Sequence, residues 1–215
     1  MFSPYSAKTV LPTSAGNDVW LRFTLAATTT PQSWIVRIPS VTVKKVSLYN
    51  LTPQSFWPVQ SAGGSIAHSA WIRTTRTPSF EVVTRNVDTT FYLRFENDSP
   101  LTERPELMSQ VDFADGASRV GNLLGLVLGM FGMLLLACGV VFALARSTVF
   151  ISLAVFASAV LLHWLVQMGF ASWRMWPDSV YFAQAIRWAS PLVAVAAGSW
   201  FFAQEIGRAS VGKEC

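Results

Sequence analysis

Charged side chains are scarce in this sequence. Asp, Glu, Lys and Arg make up 13% of its 215 residues, whereas soluble globular domains carry about 25%. The scarcity is uneven, because residues 1–118 hold 10 of the 16 Lys and Arg and 9 of the 12 Asp and Glu. We therefore do not expect a chain that is soluble throughout. The first half has the composition of an ordinary domain, and the second half is suited to a lipid bilayer.

Cysteine is nearly absent as well. Cys138 lies inside an apolar run and Cys215 is the last residue, so the first half has neither a disulfide framework nor a cysteine cluster for zinc. The net charge of that half is only +1, from 10 basic and 9 acidic residues, which is too small to indicate a nucleic-acid surface. We predict no metal, no cofactor and no nucleic-acid partner.

The motifs of common catalytic sites are missing too. The sequence contains no Gly-rich phosphate loop, no HExxH or CxxC motif and no nucleophile elbow. Its two histidines, His68 and His163, lie in different halves, and the carboxylates of the first half form no acid/base pair. We therefore predict that this chain is not an enzyme.

What the second half does contain is long segments without charge. Residues 120–145 carry none over 26 residues, and residues 147–173 none over 27, so each can cross a hydrocarbon core of about 30 Å. A third, shorter run reaches residue 204 and includes Pro191. We predict three transmembrane helices, the first two forming an antiparallel hairpin, at about residues 120–145, 147–171 and 180–204.

Small and polar residues inside these segments indicate contacts between helices. Gly121, Gly125 and Gly129 are spaced by four and share a helix face, where another helix can approach closely. That helix would belong to this chain, to a second copy in a homodimer or to a partner membrane protein; the alternative is that glycine is simply common in membrane helices. His163 and Gln167 also share a face. Ionisable groups at this depth are often functional, and the alternative is a neutral histidine making one interhelical hydrogen bond.

Strand-like alternation recurs in the first half. In residues 18–25, the side chains of Val19, Leu21, Phe23 and Leu25 share one face. The same period of two returns in four further segments: residues 33–38, 45–51, 79–85 and 89–96. Short strands separated by turn-rich stretches predict an antiparallel β-sandwich, and no helical period of useful length appears before residue 119. We divide the chain into a sandwich domain (1–113), a linker (114–119), a transmembrane region (120–208) and a tail (209–215).

One cluster in the predicted sandwich domain has the chemistry of a ligand site. Trp57, Trp71, Arg73 and Arg76 flank a loop that contains Gly63 and Gly64. Flat aromatic faces and fork-shaped donors would suit a sugar or a small anion. The alternative is that the tryptophans cover the core or an edge and that the arginines are simply solvated.

The first residues do not look like a secretory signal. Met1–Asn17 lacks an apolar stretch of 7 to 15 residues. We therefore expect either that the domain is cytoplasmic or that the sequence begins inside a longer protein. Basic residues around the predicted helices are evenly divided between the two sides, so they do not orient the chain.

The order of the segments resembles one bacterial receptor family. VWLRFTL (19–25), KKVSLYN (44–50) and FYLRFEN (91–97) are followed by GNLLGLVLGMFGMLLL (121–136) and QMGFASWRMWPDS (167–179). Each motif is short, but their order over residues 3–208 resembles the seven-transmembrane receptors with diverse intracellular signalling modules. The position after Gly63, often acidic in that family, is glycine here.

The resemblance implies a fold, a location and a function. Residues 1–113 would be most of a type-2 extracellular sensor, a jelly-roll-like sandwich similar to carbohydrate-binding modules, in the periplasm. Residues 120–208 would be the first three of seven helices in the bacterial inner membrane. A small, carbohydrate-like ligand would be sensed outside. The output module, a diguanylate cyclase making cyclic di-GMP or a histidine kinase of a two-component system, would lie beyond this chain, which we expect to be truncated.

Two other functions fit parts of the same pattern. One is a membrane-tethered β-sandwich that binds another membrane protein and has no signalling output. The other is a piece of a transporter, which would need polar or broken helices near the middle of the membrane; only His163, Gln167 and Pro191 fit that description.

Overall fold

The chain divides into two compact units. A computed structural model describes residues 12–14, 16–50, 58–73 and 75–211. The first unit comprises Met1–Asp115 together with Ser172–Val180, and the second comprises Gly116–Ala171 together with Tyr181–Cys215.

Seven strands in the described residues form two antiparallel sheets. They are β1 (Val19–Leu25), β2 (Ser33–Arg37), β3 (Lys45–Tyr49), β4 (Gln60–Ala62), β5 (Ser79–Val83), β6 (Thr89–Glu96) and β7 (Glu106–Ser109). The first sheet has the order β1-β6-β3-β4 and the second has the order β5-β2-β7. The predicted β-sandwich is confirmed.

The inner faces of the two sheets bury the apolar residues of the alternating pattern. Phe23 of β1 lies opposite Phe91 of β6, and their rings stack with centroids 5.5 Å apart. Leu93 and Phe95 of β6 are fully buried and meet Val36, Phe80 and Val82 in one core cluster. Because side chains alternate along a strand, the polar residues between these positions lie on the opposite face of the sheet.

Besides a short 3₁₀-helix (His68–Ala70), the described residues form four α-helices, which are α1 (Gln110–Ala145), α2 (Thr148–Gln167), α3 (Phe170–Arg174) and α4 (Val180–Val211). Within the described ranges, three stretches are long and apolar enough to cross a membrane: Gln110–Ala145, Thr148–Gln167 and Val180–Ile206. The three predicted membrane helices are therefore present. Between α1 and α2 only residues 146 and 147 are non-helical, and Arg146 takes a positive φ of 49° in this tight connection.

The helix boundaries differ from the predicted ones. Residues 114–119, predicted as a linker, belong to α1, which begins at Gln110. Ser109 Oγ accepts a hydrogen bond from the Asp112 backbone N–H at 3.1 Å and donates one to the Asp112 carboxylate at 2.7 Å. This cap satisfies an otherwise unpaired N–H and starts the helix early. Helix α2 ends at Gln167 rather than 171, since Gly169 has a φ of 78°.

Candidate functional site

The outer face of the first sheet carries a group of polar and aromatic side chains. We call it the polar sheet face, and it consists of Trp20, Arg22, Ser47, Tyr49, Tyr92 and Arg94. Strand pairing arranges it in two rows. In one row, Trp20 and Ser47 flank Arg94, and in the other, Arg22 and Tyr49 flank Tyr92. Directly opposed side chains in a sheet have Cβ atoms about 5 Å apart, so neighbours within a row can touch. Ser47 and Tyr49, at the β3 end of the rows, are buried, with 1% and 9% exposed. The open part of the face therefore consists of Trp20, Arg22, Tyr92 and Arg94.

Arg94 is the fixed centre of this face. Its Nε and Nη2 atoms donate to one carboxylate oxygen of Asp18 at 2.8 and 2.5 Å. The pKa of Arg94 is raised above its ordinary value, first by the hydrogen bond to Asp18 and then by that to Tyr49. Its guanidinium carbon lies 5.8 Å from the centre of the Trp20 ring. These contacts hold the guanidinium plane in one orientation.

Trp20 is the exposed aromatic of the face. Its side chain is 42% exposed, although a tryptophan in a strand could have been buried in the sandwich core. The ring is supported by Tyr49, whose centroid lies 5.2 Å away at an interplanar angle of 42°. A supported, half-open indole ring can stack on a flat apolar face of a ligand without first being ordered.

The charges around the face are close to balanced. Arg94 is paired with Asp18, and Lys45 Nζ lies 3.3 Å from Glu96 Oε1. Glu96 Oε1 is also 3.6 Å from Arg94 Nε. Donors and acceptors are therefore abundant, while the excess of positive charge is small. Such a surface suits a polar, uncharged ligand better than a strongly anionic one.

The predicted ligand cluster is arranged differently from the expectation. Trp57 lies outside the described residues. Trp71 is 6% exposed and belongs to the core cluster. Its Nε1–H donates to the Ile66 carbonyl at 3.2 Å, and its ring stacks on His68 with centroids 4.0 Å apart. The expectation that Trp71 offers an open stacking face is therefore wrong, because the indole fills the interior of the sandwich.

The two arginines of that cluster have separate contacts. The Arg73 guanidinium carbon lies 5.6 Å from the centre of the Phe113 ring. Arg76 is half-buried, and its pKa is lowered by that burial and then by the positive charge of Arg37. Neither contact is to Trp71. A ligand contact at Arg73 or Arg76 stays a prediction.

Two polar groups connect α2 and α4 within the membrane unit. His163 Nδ1 and Ser190 Oγ are 3.0 Å apart and form a hydrogen bond. This is the geometry of the structural alternative, in which the histidine makes one interhelical bond. Gln167 is the last residue of α2 and is half-buried.

The predicted glycine face has no close neighbour among the described residues. Apart from the nearby backbone of α1 itself, a Cβ placed on Gly121, Gly125 or Gly129 would have no described atom within 4 Å. The close approach occurs at Gly198 of α4 instead, where a Cβ would lie 3.1 Å from Phe156 Cε2 of α2. Contact of the glycine face with another helix stays a prediction. Spacing by four marks a possible packing face, but Gly198, a single glycine among alanines, has no such signal.

The polar sheet face was not identified from the sequence, although the alternation of its strands already indicates which side chains point outward. Arg22 and Arg94 stand opposite the apolar residues of their strands, which places them on the outer face. Their meeting depends on β1 and β6 being neighbours, and strand order is not contained in a period of two. In the part of the chain that the structure describes, no three His, Cys, Asp or Glu side chains are grouped to hold a metal ion.

The comparison with protein families matches the sandwich. The family model described as 7TMR-DISM extracellular 2 covers residues 2–109, about half of the chain, including all seven strands and the polar sheet face. A comparison with curated proteins gives no match, and a comparison with solved structures gives none. The resemblance to seven-transmembrane receptors is confirmed by the family match and the three membrane-capable helices. The chain therefore belongs to the 7TMR-DISM extracellular 2 family.

Proposed function

We propose that this chain is the input portion of a bacterial receptor that binds a small, carbohydrate-like ligand outside the inner membrane. The ligand would lie on the polar sheet face, and the helices would relay its presence to an output module beyond this chain. The single observation that carries the proposal is the supported, half-open Trp20 ring beside Arg94, on the sandwich of a sensor family that is followed by membrane helices.

The chemistry of the face supports a sugar over an anion. A pyranose has an apolar ring face that stacks on an indole, and hydroxyl groups that pair with guanidinium, hydroxyl and carboxylate groups. Arg94 already has a carboxylate partner in Asp18, so an anionic ligand would compete with that pair. A shallow site of this kind buries few ligand atoms, and we expect dissociation constants on the order of micromolar to millimolar.

The proposal moves the ligand contact away from the cluster that the sequence suggested. Trp71 is buried and Trp57 is outside the described residues, whereas Trp20 is 42% exposed and packs against Tyr49. Arg73 and Arg76 would then contribute to binding only through a second contact on another part of the sandwich.

The proposed topology places the sandwich and residues 172–180 outside, and Arg146 and the C-terminal end of α4 inside. Three membrane-capable helices support an odd number of crossings, and the family describes an extracellular domain. The grouping of residues 172–180 with the sandwich in one compact unit supports the same arrangement.

A titration of the full chain in lipid nanodiscs tests the ligand. Neutral oligosaccharides of glucose, galactose, mannose and N-acetylglucosamine, with sialyllactose as an anionic comparison, would be added to the wild type and to Trp20→Ala. We expect at least one neutral sugar to bind, and Trp20→Ala to weaken it by at least tenfold with little change in melting temperature, since the side chain is half-open.

Leu107→Ala is the matched control, because Leu107 is a similarly exposed apolar residue on β7 of the other sheet. It should bind as the wild type does. A sugar that binds equally to Trp20→Ala would overturn the proposed site. Binding of no sugar at all would favour the other function, a sandwich that contacts a membrane protein without sensing a small ligand.

A further inference from the structure

Most of the segment between α2 and α4 is part of the sandwich unit. Residues 172–180 lie between two membrane helices in the sequence, but they group with Met1–Asp115. The Ser69 backbone N–H donates to the Pro177 carbonyl at 3.3 Å. A stretch that connects membrane helices therefore makes a specific backbone contact with the sensor domain.

The contact satisfies a donor that local structure leaves unpaired. Ser69 belongs to a short 3₁₀-helix, His68–Ala70, whose own bonds run from Ala70 N to Ala67 O at 3.0 Å and from Trp71 N to His68 O at 3.2 Å. The first N–H groups of such a helix have no partner inside it. Pro177 supplies the missing acceptor, and its ring restricts the backbone that presents the carbonyl.

The 3₁₀-helix is itself fastened to the sandwich core. His68 stacks on Trp71, and the Trp71 ring is buried in the core and bonded to the Ile66 carbonyl. Movement of Trp71 would therefore displace the N–H that meets Pro177. The 3₁₀-helix is thus tied to the core through the stacking of His68 on Trp71.

The turn at residues 63–65, which precedes the 3₁₀-helix, is hydrogen-bonded to the residues just before β3. Gly63 has a φ of 141°, and a Cβ there would lie 2.6 Å from the Lys44 carbonyl oxygen. The N–H groups of Gly64 and Ser65 donate to Val43 O and Lys44 O, each at 2.9 Å. Residue 44 directly precedes β3, which supplies Ser47 and Tyr49 to the polar sheet face.

We propose that residues 172–180 are the docking contact through which the segment from Gly63 to Trp71 transmits its position to α4, which begins at Val180. A shift of β3 and β4 moves the turn at Gly63, the turn moves the 3₁₀-helix, and the 3₁₀-helix moves Pro177. That a ligand produces such a shift rests on the proposed function; the coupling between the two segments does not. Coupling of this kind is reciprocal, so a change at either end is felt at the other.

The forward test perturbs the turn and observes the docked segment. A nitroxide on Asp178→Cys, in the full chain with Cys138→Ser and Cys215→Ser, reports local mobility in nanodiscs. Gly63→Ala forces a shift against Lys44, and we expect the mobile fraction of the label to rise at least twofold. Gly64→Ala is the matched control, because its Cβ would meet Val43 O at an ordinary 3.5 Å, and it should leave the label unchanged.

The reverse test replaces Trp176, Pro177 and Asp178 by Gly-Ser-Gly and measures hydrogen exchange. We expect amides of residues 66–72 to exchange at least tenfold faster, while those of β6 stay protected. Two results would overturn the proposal. One is that Gly63→Ala speeds hydrogen exchange of residues 63–71 while the mobility of the label stays unchanged. The other is that the Gly-Ser-Gly replacement leaves the exchange of residues 66–72 unchanged. If Gly63→Ala unfolds the sandwich, the reverse test decides. Neither arm uses a ligand, so a failed sugar titration leaves this result standing.

Discussion

The sandwich and the membrane helices differ in how far the chain itself buries their apolar side chains. In the sandwich, Leu93 and Phe95 are completely buried by the chain itself. In α1, only 6% of the most apolar stretch is buried within the chain, against 28% in α2. Water drives the first kind of burial, whereas lipid is as apolar as leucine and provides no such force between helices. An apolar residue such as leucine therefore stabilises the fold of the sandwich, whereas in the membrane helices it mainly makes the helix surface compatible with lipid.

The largest effect should come from exchanging one leucine in each unit for alanine. Leu93 is 0% exposed in the sandwich core and Leu136 is 72% exposed in α1. We expect Leu93→Ala to cost about 2–5 kcal/mol of unfolding free energy, because it removes buried methyl groups and leaves a cavity. Leu136→Ala should change the stability of the sandwich by less than about 0.5 kcal/mol. Denaturant unfolding of the full chain, followed through tryptophan fluorescence, measures both.

Equal losses of stability in the two variants would contradict this difference between sandwich and membrane helices, since they would show that α1 packs as tightly as the sandwich core. The same result would also indicate a helix partner that covers Leu136.

An intermediate effect should separate the two kinds of glycine in the membrane unit. Gly198 faces the Phe156 ring, whereas Gly125 faces no other helix within the part of the chain that the structure describes. We expect Gly198→Leu to overpack the α2–α4 contact and to cost about 1–3 kcal/mol, seen as a lower melting temperature in detergent. Gly125→Leu should leave the melting temperature of the monomer unchanged.

The oligomeric state, measured by light scattering, sharpens this second prediction. If the glycine face on α1 contacts a second copy of the chain, Gly125→Leu should shift a dimer towards monomer. A large loss of monomer stability in Gly125→Leu would instead contradict the open face.

The smallest effect should come from the hydrogen bond between His163 and Ser190. Polar pairs between membrane helices contribute about 0.6 kcal/mol on average, because the separated helices also find partners. A double-mutant cycle with His163→Ala and Ser190→Ala should give a coupling of this size, measured by unfolding in detergent. A coupling several times larger would assign His163 a role beyond packing.

Periodicity predicted the elements of this protein well, because it acts over short distances. The alternation in β1 and β6, and the apolar runs of α1 and α2, each follow from what one face of one element contacts. The start of α1 was missed although its signal is local: Ser109 followed by Asp112 is the pattern of a helix cap.

Trp20 and Trp71 show where inference from periodicity succeeds and where it fails. Trp20 lies on the polar side of an alternating strand, and that position correctly indicates an outward ring. Trp71 lies in an irregular segment with no period, and its composition, next to arginines and glycines, is equally typical of a ligand loop. Only the fold shows that its ring fills the core between the sheets.

Alternation and hydropathy in the sequence are enough to predict a β-sandwich followed by membrane helices, because both are set by the solvent that each element faces. The tertiary structure decided which elements are neighbours. The pairing of β1 with β6 brings Trp20 beside Arg94, and Ser69 meets Pro177 across more than a hundred residues of sequence. The entropy of closing such loops changes little with their length, so separation along the chain does not indicate which residues meet. Which residues meet is decided by complementary surfaces and by backbone groups that need a hydrogen-bond partner.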